Sequence, residues 1–444
     1  MSAQSQVKAT FSALIPHPSE LRFLLLPTEG GWALPSCNPE ESYSAQVTEL
    51  NRAMHEQLGI NVTTLHCAYL SRDEEVNKEV NALFTMENHS PDWSPPKGAC
   101  WAGRDDLASL SLVPEWQRPV IEEWLTEEDS GRVPPLRAPW SRKGWLHTVT
   151  DWTRTELAAH NIALTGPMEQ IKHWDISSVW RAPTNGTDVY FKATPAIYAS
   201  EPSMTAELAK LFPEHIPAPL AIATYPDQGW MLLGRFDGEV IWEQTTGQKE
   251  DALRLLARMQ IKSVQRIDEL FAAGCFDRRL DKMTAQIADL IHDDAALERF
   301  EESERLQLRS HLPQITETCA SLAAGPVPQA LVHGDFHSGN IAIGDSGYII
   351  FDWTDGCVSH PFFDMLTFLK PNADDFQHLR DAYLEEWSAF GSPQELLSTY
   401  NAACKLGGLH HGLSYHAINV TVEASMKTEI EGAMEYFMRR YLAD

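Results

Sequence analysis

The sequence is short of positive charge. It carries 35 Lys and Arg against 62 Asp and Glu, a formal net charge of −27 over 444 residues. Both halves share the imbalance: 12 basic against 20 acidic side chains up to residue 150, and 23 against 42 after it. Such a field repels nucleic acid and anionic membranes and attracts cationic ligands. No apolar run reaches the ~18 residues that a membrane-spanning helix needs. The opening MSAQSQVKATFSALIPHP lacks a basic head and a long apolar stretch, so no signal peptide and a cytoplasmic location are expected. The seven cysteines (Cys37, Cys67, Cys100, Cys275, Cys319, Cys357 and Cys404) form no CxxC pair. Reduced structural thiols are expected rather than disulfides or zinc. His410, His411 and His416 do not have HExxH spacing and read as packed or solvated. Tandem repeats and low-complexity tracts are also missing, and the length calls for two to three domains.

What is present concentrates in LVHGDFHSGNIAIGDSGYIIFDW, residues 331–353. Short apolar runs each deliver one polar group: Asp335, Asn340 and Asp352. Gly344-Asp345-Ser346-Gly347 reads as a hairpin turn between the last two runs. That hairpin folds Asp352 back toward Asn340 and Asp335. Two carboxylates and an amide in this order suit phosphoryl transfer from a nucleotide. One carboxylate, Asp335, orients an attacking hydroxyl, while Asn340 and Asp352 hold Mg2+ on the phosphates.

His333, Gly334, Asp335, His337, Asn340, Asp352 and Trp353 match H-G-D-x-H-x-x-N followed by D-W beyond a hairpin. The segment resembles the catalytic loop and metal hairpin of the aminoglycoside phosphotransferase and choline kinase superfamily. His360-Pro361-Phe362-Phe363-Asp364 is similar to that family's H-P-x-x-D segment. The resemblance extends over roughly residues 150–444. It implies an α+β, bilobal, protein-kinase-like fold with a small β-rich lobe and a large helical lobe. It also implies ATP or GTP with Mg2+ as cofactors, Asp335 as catalytic base, a packing role for His333, and Asp364 tying down the loop backbone.

The nucleotide side is read from the order of elements. Three β-rich runs, MEQIKHWDI, SVWRAPT and TDVYFKAT, place Lys192 on the third. Strand alternation sets Tyr190 and Lys192 on one face and Phe191 on the other. Helix 200–212 follows with Glu207, expected to pair with Lys192 as in kinases. No G-x-G-x-x-G loop precedes Lys192. The turn there holds Ser177 and Ser178, whose backbone N–H groups are expected to contact a phosphate. By resemblance, Gly234, Arg235 and Phe236 form the hinge that pairs with the purine edge.

Four regions are expected: 1–128, a linker at 129–143, a small lobe with a leading helix at 144–238, and a large lobe at 239–444. Residues 1–128 resemble a Nudix domain: Trp32-Ala33-Leu34-Pro35 precedes the predicted helix 40–59. In Arg52-Ala53-Met54-His55-Glu56-Gln57-Leu58-Gly59, only Glu56 stands where that family's glutamates hold a divalent metal. Asn38 and Ser44 occupy two further motif positions, so hydrolysis is expected to be lost.

The expected activity is ATP-dependent phosphorylation of a hydroxyl on a small molecule, with no nucleic acid or membrane partner. A cationic acceptor is favoured by Asp355 and by Asp374, Asp375, Asp381, Glu385 and Glu386. The alternatives are a nucleotide-binding sensor or scaffold with a ligand-recognising N-terminal domain, and pyrophosphohydrolase action by residues 1–128.

Overall fold

The structure is a computed structural model that describes residues 7–73 and 78–443. The first six residues, part of the segment read as lacking a signal peptide, lie outside the described residues. The chain up to Pro195 forms one compact unit together with Thr421–Ile430. Ala196–Val420 and the residues from Glu431 onward form the other. Among the described residues no helix is long and apolar enough to cross a membrane.

The first unit begins with β1 (Lys8–Leu14), β2 (Phe23–Thr28), β3 (Gly31–Ala33) and β4 (Ser36–Cys37). Helix α1 (Thr48–Leu58) and two long strands, β5 (Val62–Asp73) and β6 (Glu79–Asn88), follow. Next come β7 (Cys100–Ala102), α2 (Arg104–Leu107), α3 (Gln117–Ser130) and α4 (Trp145–Ala159). Strands β8 (Glu169–Trp174), β9 (Ser177–Ala182) and β10 (Val189–Pro195) end it. One sheet has the order β4-β1-β6-β5, and a smaller one β3-β2-β7. β1 and β6 run parallel, Phe11 opposite Ala82. Phe23, Leu25, Leu83, Ile121 and Trp124 form a shared core. Helix α1 buries Leu50 and Met54, one turn apart. Gly59 stops it in the left-handed region at φ +68°. The helix starts at Thr48 rather than near 40 because side chains hold the preceding backbone: the Glu40 N–H donates to Glu49 (3.0 Å) and the Ser44 N–H to Glu429 (2.9 Å).

The expected division at 129–143 is not what folds. Helix α3 runs through to Ser130, and Arg137, Ala138, Trp140 and Ser141 are buried. The Trp140 indole donates to the Trp174 carbonyl at 2.9 Å. Strand β8 is itself stitched to the N-terminal region by the buried Gln170. Its amide donates to Thr64 O (2.8 Å), and its carbonyl accepts from Thr64 N–H (2.9 Å) and Asn51 (2.8 Å). A buried amide with its polar atoms answered fixes register in a way an apolar contact does not.

Thr421–Ile430 is a strap of distant sequence packed into this unit. Glu423 accepts from the guanidinium of Arg137, which also pairs with Glu127 at 2.8 Å. The Glu423 N–H donates to Asp175 at 2.7 Å, Ser425 to Cys67 O at 2.6 Å, and Arg72 to Glu429 at 2.8 Å. Only 7% of the Arg137 side chain is exposed, so its charge depends on those two acids.

The second unit opens with α5 (Glu201–Leu211), β11 (Pro219–Tyr225), β12 (Gln228–Gly234) and β13 (Glu239–Val240). Then come α6 (Thr246–Ser263), α7 (Ile267–Ala272), β14 (Phe276–Asp277), α8 (Leu280–His292), α9 (Glu302–Ser310) and α10 (Leu312–Ala323). The signature segment contributes β15 (Ala330–Val332), β16 (Ile341–Gly344), β17 (Gly347–Ile350) and β18 (Cys357–Ser359). Helices α11 (Met365–Phe368), α12 (Phe376–Glu386), α13 (Pro393–Asn419) and α14 (Ala433–Ala443) close the unit. The helices enclose one apolar core that includes Leu256, Ile287, Leu331, Phe362, Trp387 and Leu406. Two three-stranded sheets, β13-β16-β17 and β14-β18-β15, stand at its edge and carry the signature loops.

Replacing Arg137 by Met should leave Glu127 and Glu423 facing each other and destabilise the protein by about 3–5 kcal/mol, measured by urea unfolding. Asp175 offers a pH test. Burial raises its carboxyl from 3.8 to about 7 against the pull of the Glu423 N–H. Folding then takes up a proton, so this contribution is full below pH ~4 and is lost as pH rises through ~7. The unfolding free energy of the wild type minus that of Asp175→Asn should fall across this window. Buried His66 and His173 titrate in the opposite sense but cancel in the difference. A flat difference would refute the assignment.

Candidate active site

The site is assembled from the backbone of 333–335 outward. Asp364 is fully buried, and both its oxygens accept from the loop: Oδ2 from His333 N–H and Oδ1 from Gly334 N–H, each at 2.9 Å. Gln260 on α6 donates to Oδ2 at 2.9 Å and accepts from the Tyr383 hydroxyl of α12 at 2.5 Å. Burial pushes the Asp364 carboxyl up to about 7, against these donors. Gly334 has φ +83°, and a Cβ there would lie 2.5 Å from Asp355 O. Only glycine fits that turn.

The turn presents Asp335. Its side chain is 49% exposed, while His333 and Phe336 on either side are buried. The His337 tautomer follows from its partners. Gly339 N–H donates to Nδ1 at 3.0 Å, so the proton sits on Nε2, 3.4 Å from Asp335 Oδ2. Crowding raises the Asp335 pKa, but the His337 hydrogen bond and the charges nearby bring it below the ordinary value. The carboxyl is therefore ionised at neutral pH, as an acceptor of a hydroxyl proton must be. His333 takes the same tautomer. Asp335 N–H donates to its Nδ1 (3.3 Å), and its Nε2–H donates to Phe351 O (3.0 Å). Its ring packs on Trp353 with centroids 4.5 Å apart.

Asn340 is buried, and its amide donates to Asp335 O at 2.9 Å and to Asp335 Oδ2 at 3.4 Å. β16 and β17 form the expected hairpin, Gly344 opposite Gly347 and Ile341 opposite Ile350. Phe351 N–H then donates to Asn340 O at 3.1 Å, which brings Asp352 beside Asn340. Asp352 has φ +64°, a left-handed backbone that non-glycine residues rarely adopt. Thr354 donates to its Oδ1 at 2.5 Å. Asp335, Asn340 and Asp352 thus meet. The Asn340 carbonyl oxygen and the Asp352 carboxylate are hard oxygen donors, and two protein ligands suit a Mg2+ that is otherwise held by phosphates and water.

The other expected site residues fare differently. Gly234 ends β12, and Phe236 stacks on Phe351 (centroids 5.4 Å), so the hinge segment lies against the residue before Asp352. Lys192 stands on β10 opposite Val179, half-buried, with Phe191 buried on the other face as alternation requires. On α5, Glu207 is 22% exposed and paired with Lys210 at 2.8 Å, whereas Glu201 is 2% exposed. The helix therefore buries a different acid from the expected one. The Ser177 and Ser178 side chains are turned inward. Both are buried, and their hydroxyls are committed inward: Ser178 to His173 (2.9 Å) and Trp180 (2.8 Å), Ser177 to Trp174 (3.0 Å). Asp175 of the same turn is held by Glu423. This turn is packed interior rather than an open phosphate cradle.

Most of the acids expected to attract a cationic acceptor are also engaged. Asp375 pairs with Lys249 (2.9 Å), Glu385 and Glu386 with Arg254 (2.8 and 3.3 Å), and Asp381 with Arg380 (2.7 Å). Asp355 is half-buried and accepts from Tyr198 at 3.3 Å, and burial raises its carboxyl to about 6. Trp242 escaped the sequence reading. It is 70% exposed and stacks on His337 with centroids 5.8 Å apart. A Cβ on Gly339 would lie 2.4 Å from its ring. Its only sequence signal is an aromatic residue shortly after the hinge turn.

A family model, the phosphotransferase enzyme family (APH), matches residues 169–396, more than half of the chain. The chain belongs to that family. Its kinase-like α+β fold spans about two thirds of the chain, and an N-terminal β-rich region of unidentified fold is added to it. No comparison identifies that region as a Nudix domain. No curated protein matches the chain. Similar solved structures include the amicoumacin kinase hAmiN with AMP-PNP and Ca2+ (14% identity, 67% of this chain and 96% of that one, TM-score 0.46). Others are an aminoglycoside 2'-phosphotransferase-IIIa mutant with GDP (14%, 66% and 97%, 0.47) and a choline/ethanolamine kinase family protein from Mesorhizobium loti (20%, 66% and 98%, 0.43).

Asp364→Asn should turn an amide NH2 toward one of the two loop N–H groups. The expected loss is about 1–3 kcal/mol of stability, with faster hydrogen exchange at His333 and Gly334. Unchanged exchange there would show that the carboxylate does not hold the loop.

Proposed function

We propose that the chain transfers the γ-phosphoryl group of ATP to a hydroxyl of a small molecule. The observation that supports this most is the cluster itself: an exposed, ionised Asp335 on a rigid turn beside the oxygen donors of Asn340 and Asp352. Asp335 accepts the hydroxyl hydrogen bond and aims the oxygen at phosphorus. In a loose transition state the proton leaves late, so a low pKa does not disqualify this base. Asn340 and Asp352 hold Mg2+, which neutralises charge on the phosphates when bound. Lys192 is assigned to the donor phosphates. Gly234, Arg235 and Phe236 keep the purine-side assignment. No phosphate role is retained for Ser177 or Ser178. No hydrolase role is proposed for the N-terminal region, where Glu56 stands exposed on α1.

The test is ADP release across a panel of hydroxylated metabolites, with product mass as a second readout. Asp335→Ala should lower kcat by about 10²–10⁴-fold while Mg-ATP binding stays within about twofold. Wild-type turnover in that variant would remove the assignment.

A further inference from the structure

The second unit contains a buried cation that this mechanism does not use. Arg278 follows β14 and is 8% exposed. Its backbone is fixed by a hydrogen bond to Val358 O (3.1 Å) and by one from the Ser359 hydroxyl to its carbonyl (2.7 Å). Its guanidinium donates to Ser414 Oγ on α13 at 2.5 Å and lies 5.9 Å over the Phe276 ring. Among the described residues no carboxylate lies within 4.0 Å of it. A buried guanidinium without an ion pair is costly, and such charges are ordinarily paired.

Its charge acts through space on Asp355, and two histidines precede Ser414 on the same helix. His410 and His411 on α13 are buried beside it, and its charge helps keep both neutral, after burial itself. Among the described residues, both ring nitrogens of His410 and Nε2 of His411 have no hydrogen-bond partner. Orphaned buried nitrogens next to an unpaired guanidinium describe a place for an anionic oxygen group. The cluster is tied to the loop that carries Asp335: β14, which Arg278 follows, pairs with β18, β18 pairs with β15, and Phe363 packs on His410 with ring centroids 4.9 Å apart. The Asp335 charge acts on both His411 and Tyr415, and Asp355 acts on Tyr415. Four of the acids once expected to favour a cationic acceptor, Asp375, Asp381, Glu385 and Glu386, already pair with Lys249, Arg254 or Arg380.

We propose that Arg278, with Ser414 and the open ring nitrogens of His410 and His411, binds a carboxylate of the acceptor, and that the acceptor is a small hydroxy acid. This rests on the phosphotransferase reading and adds the substrate class. The carboxylate replaces the missing counter-ion of Arg278 while the hydroxyl is presented to Asp335. In the reaction the hydroxyl oxygen forms a bond to the γ-phosphorus. The bond from that phosphorus to the β,γ-bridging oxygen breaks, its electron pair leaves with ADP, and the hydroxyl proton passes to Asp335 and then to solvent. The carboxylate is unchanged.

The experiment pairs hydroxy acids (glycerate, homoserine, gluconate) with partners that lack the carboxylate (glycerol, homoserine amide, sorbitol). Each is measured by ADP release with Mg-ATP and by calorimetric binding without nucleotide. At least one acid should exceed its partner by 100-fold or more in kcat/KM, the discrimination open to a site with a buried polar group left unpaired. Arg278→Met should raise KM for that acid by about 50-fold or more and abolish its calorimetric signal; Arg278→Lys, keeping charge but losing the fork, should recover part of it. Ser414→Ala should raise KM less and is the second variant if Arg278→Met melts early. Turnover of neutral or cationic alcohols without turnover of any acid overturns the proposal and leaves the phosphotransferase reading standing. Acid binding that needs Arg278, with no transfer to any hydroxyl, overturns that reading instead. Neither binding nor turnover of any acid overturns the proposal.

Discussion

The carboxylate of Asp364 is the constraint from which the rest of the site follows. A loop that turns at Gly334 leaves its N–H groups without partners in a dry interior, a cost of ~1–3 kcal/mol for each unmet group. Asp364 answers two of them with separate oxygens. That bidentate hold fixes the orientation of the peptide planes, and hence the direction in which Asp335 leaves the turn. Gln260 and Tyr383 then fix Asp364 itself from two helices. The Asp335 carboxylate can be half-exposed because the residues behind it are buried and hydrogen-bonded. His333 carries the same order onward through Phe351 to the metal hairpin.

A second constraint operates far from this loop. Gln170, Asp175 and Arg137 each satisfy buried polar groups contributed by sequence more than a hundred residues away or by the strap at 421–430. Such contacts make the N-terminal β-rich region, β8 and the strap parts of one folding unit. They also explain why the β8–β9 turn is closed. The turn's acid caps a backbone N–H of the strap, and its serine hydroxyls face its own core. The 421–430 segment joins α13 to α14, so truncating the chain after α13 would remove packing from the N-terminal unit as well.

Asp335, Asn340, Asp352 and the hairpin between them could be read in the sequence because their geometry is local. Spacing of five and twelve residues with a Gly-rich turn leaves little freedom, and the structure brings the three together. Strand alternation likewise placed Phe191 inside and Lys192 half-out. The acid of α5 was legible only as a helix residue. Glu201 and Glu207 are both on α5, and which one is buried is decided by packing, with Lys210 one turn from Glu207 settling the matter. The serines of β9 failed for the same reason, since turn propensity says nothing of what covers the turn. The acids after 370 looked like a negative surface in one dimension, but their cations, Lys249 and Arg254, come from α6. The Nudix resemblance rested on Trp32, Pro35 and one glutamate, too few residues to define a fold.

Charge balance joins these observations. Asp335, Asp352 and Asp355 lie close enough for each to act on another's proton affinity, and the Asp355 carboxyl rises to about 6 as burial and its neighbours accumulate. Arg278 pulls it back without touching it, through space rather than through an ion pair. A guanidinium used only to offset a carboxylate gains most by direct contact, where the bidentate geometry supplies hydrogen bonds as well as charge. Arg278 instead points its donor at Ser414 and stands among histidines that burial keeps neutral. The separation keeps its positive field near the acids, where phosphate charge must be tolerated, and leaves its hydrogen-bonding edge for another anion. On the proposed reading, a site that takes both nucleotide phosphates and a charged acceptor needs that division: the acids would orient hydroxyl and metal, and one cation set apart from them would select what carries the hydroxyl.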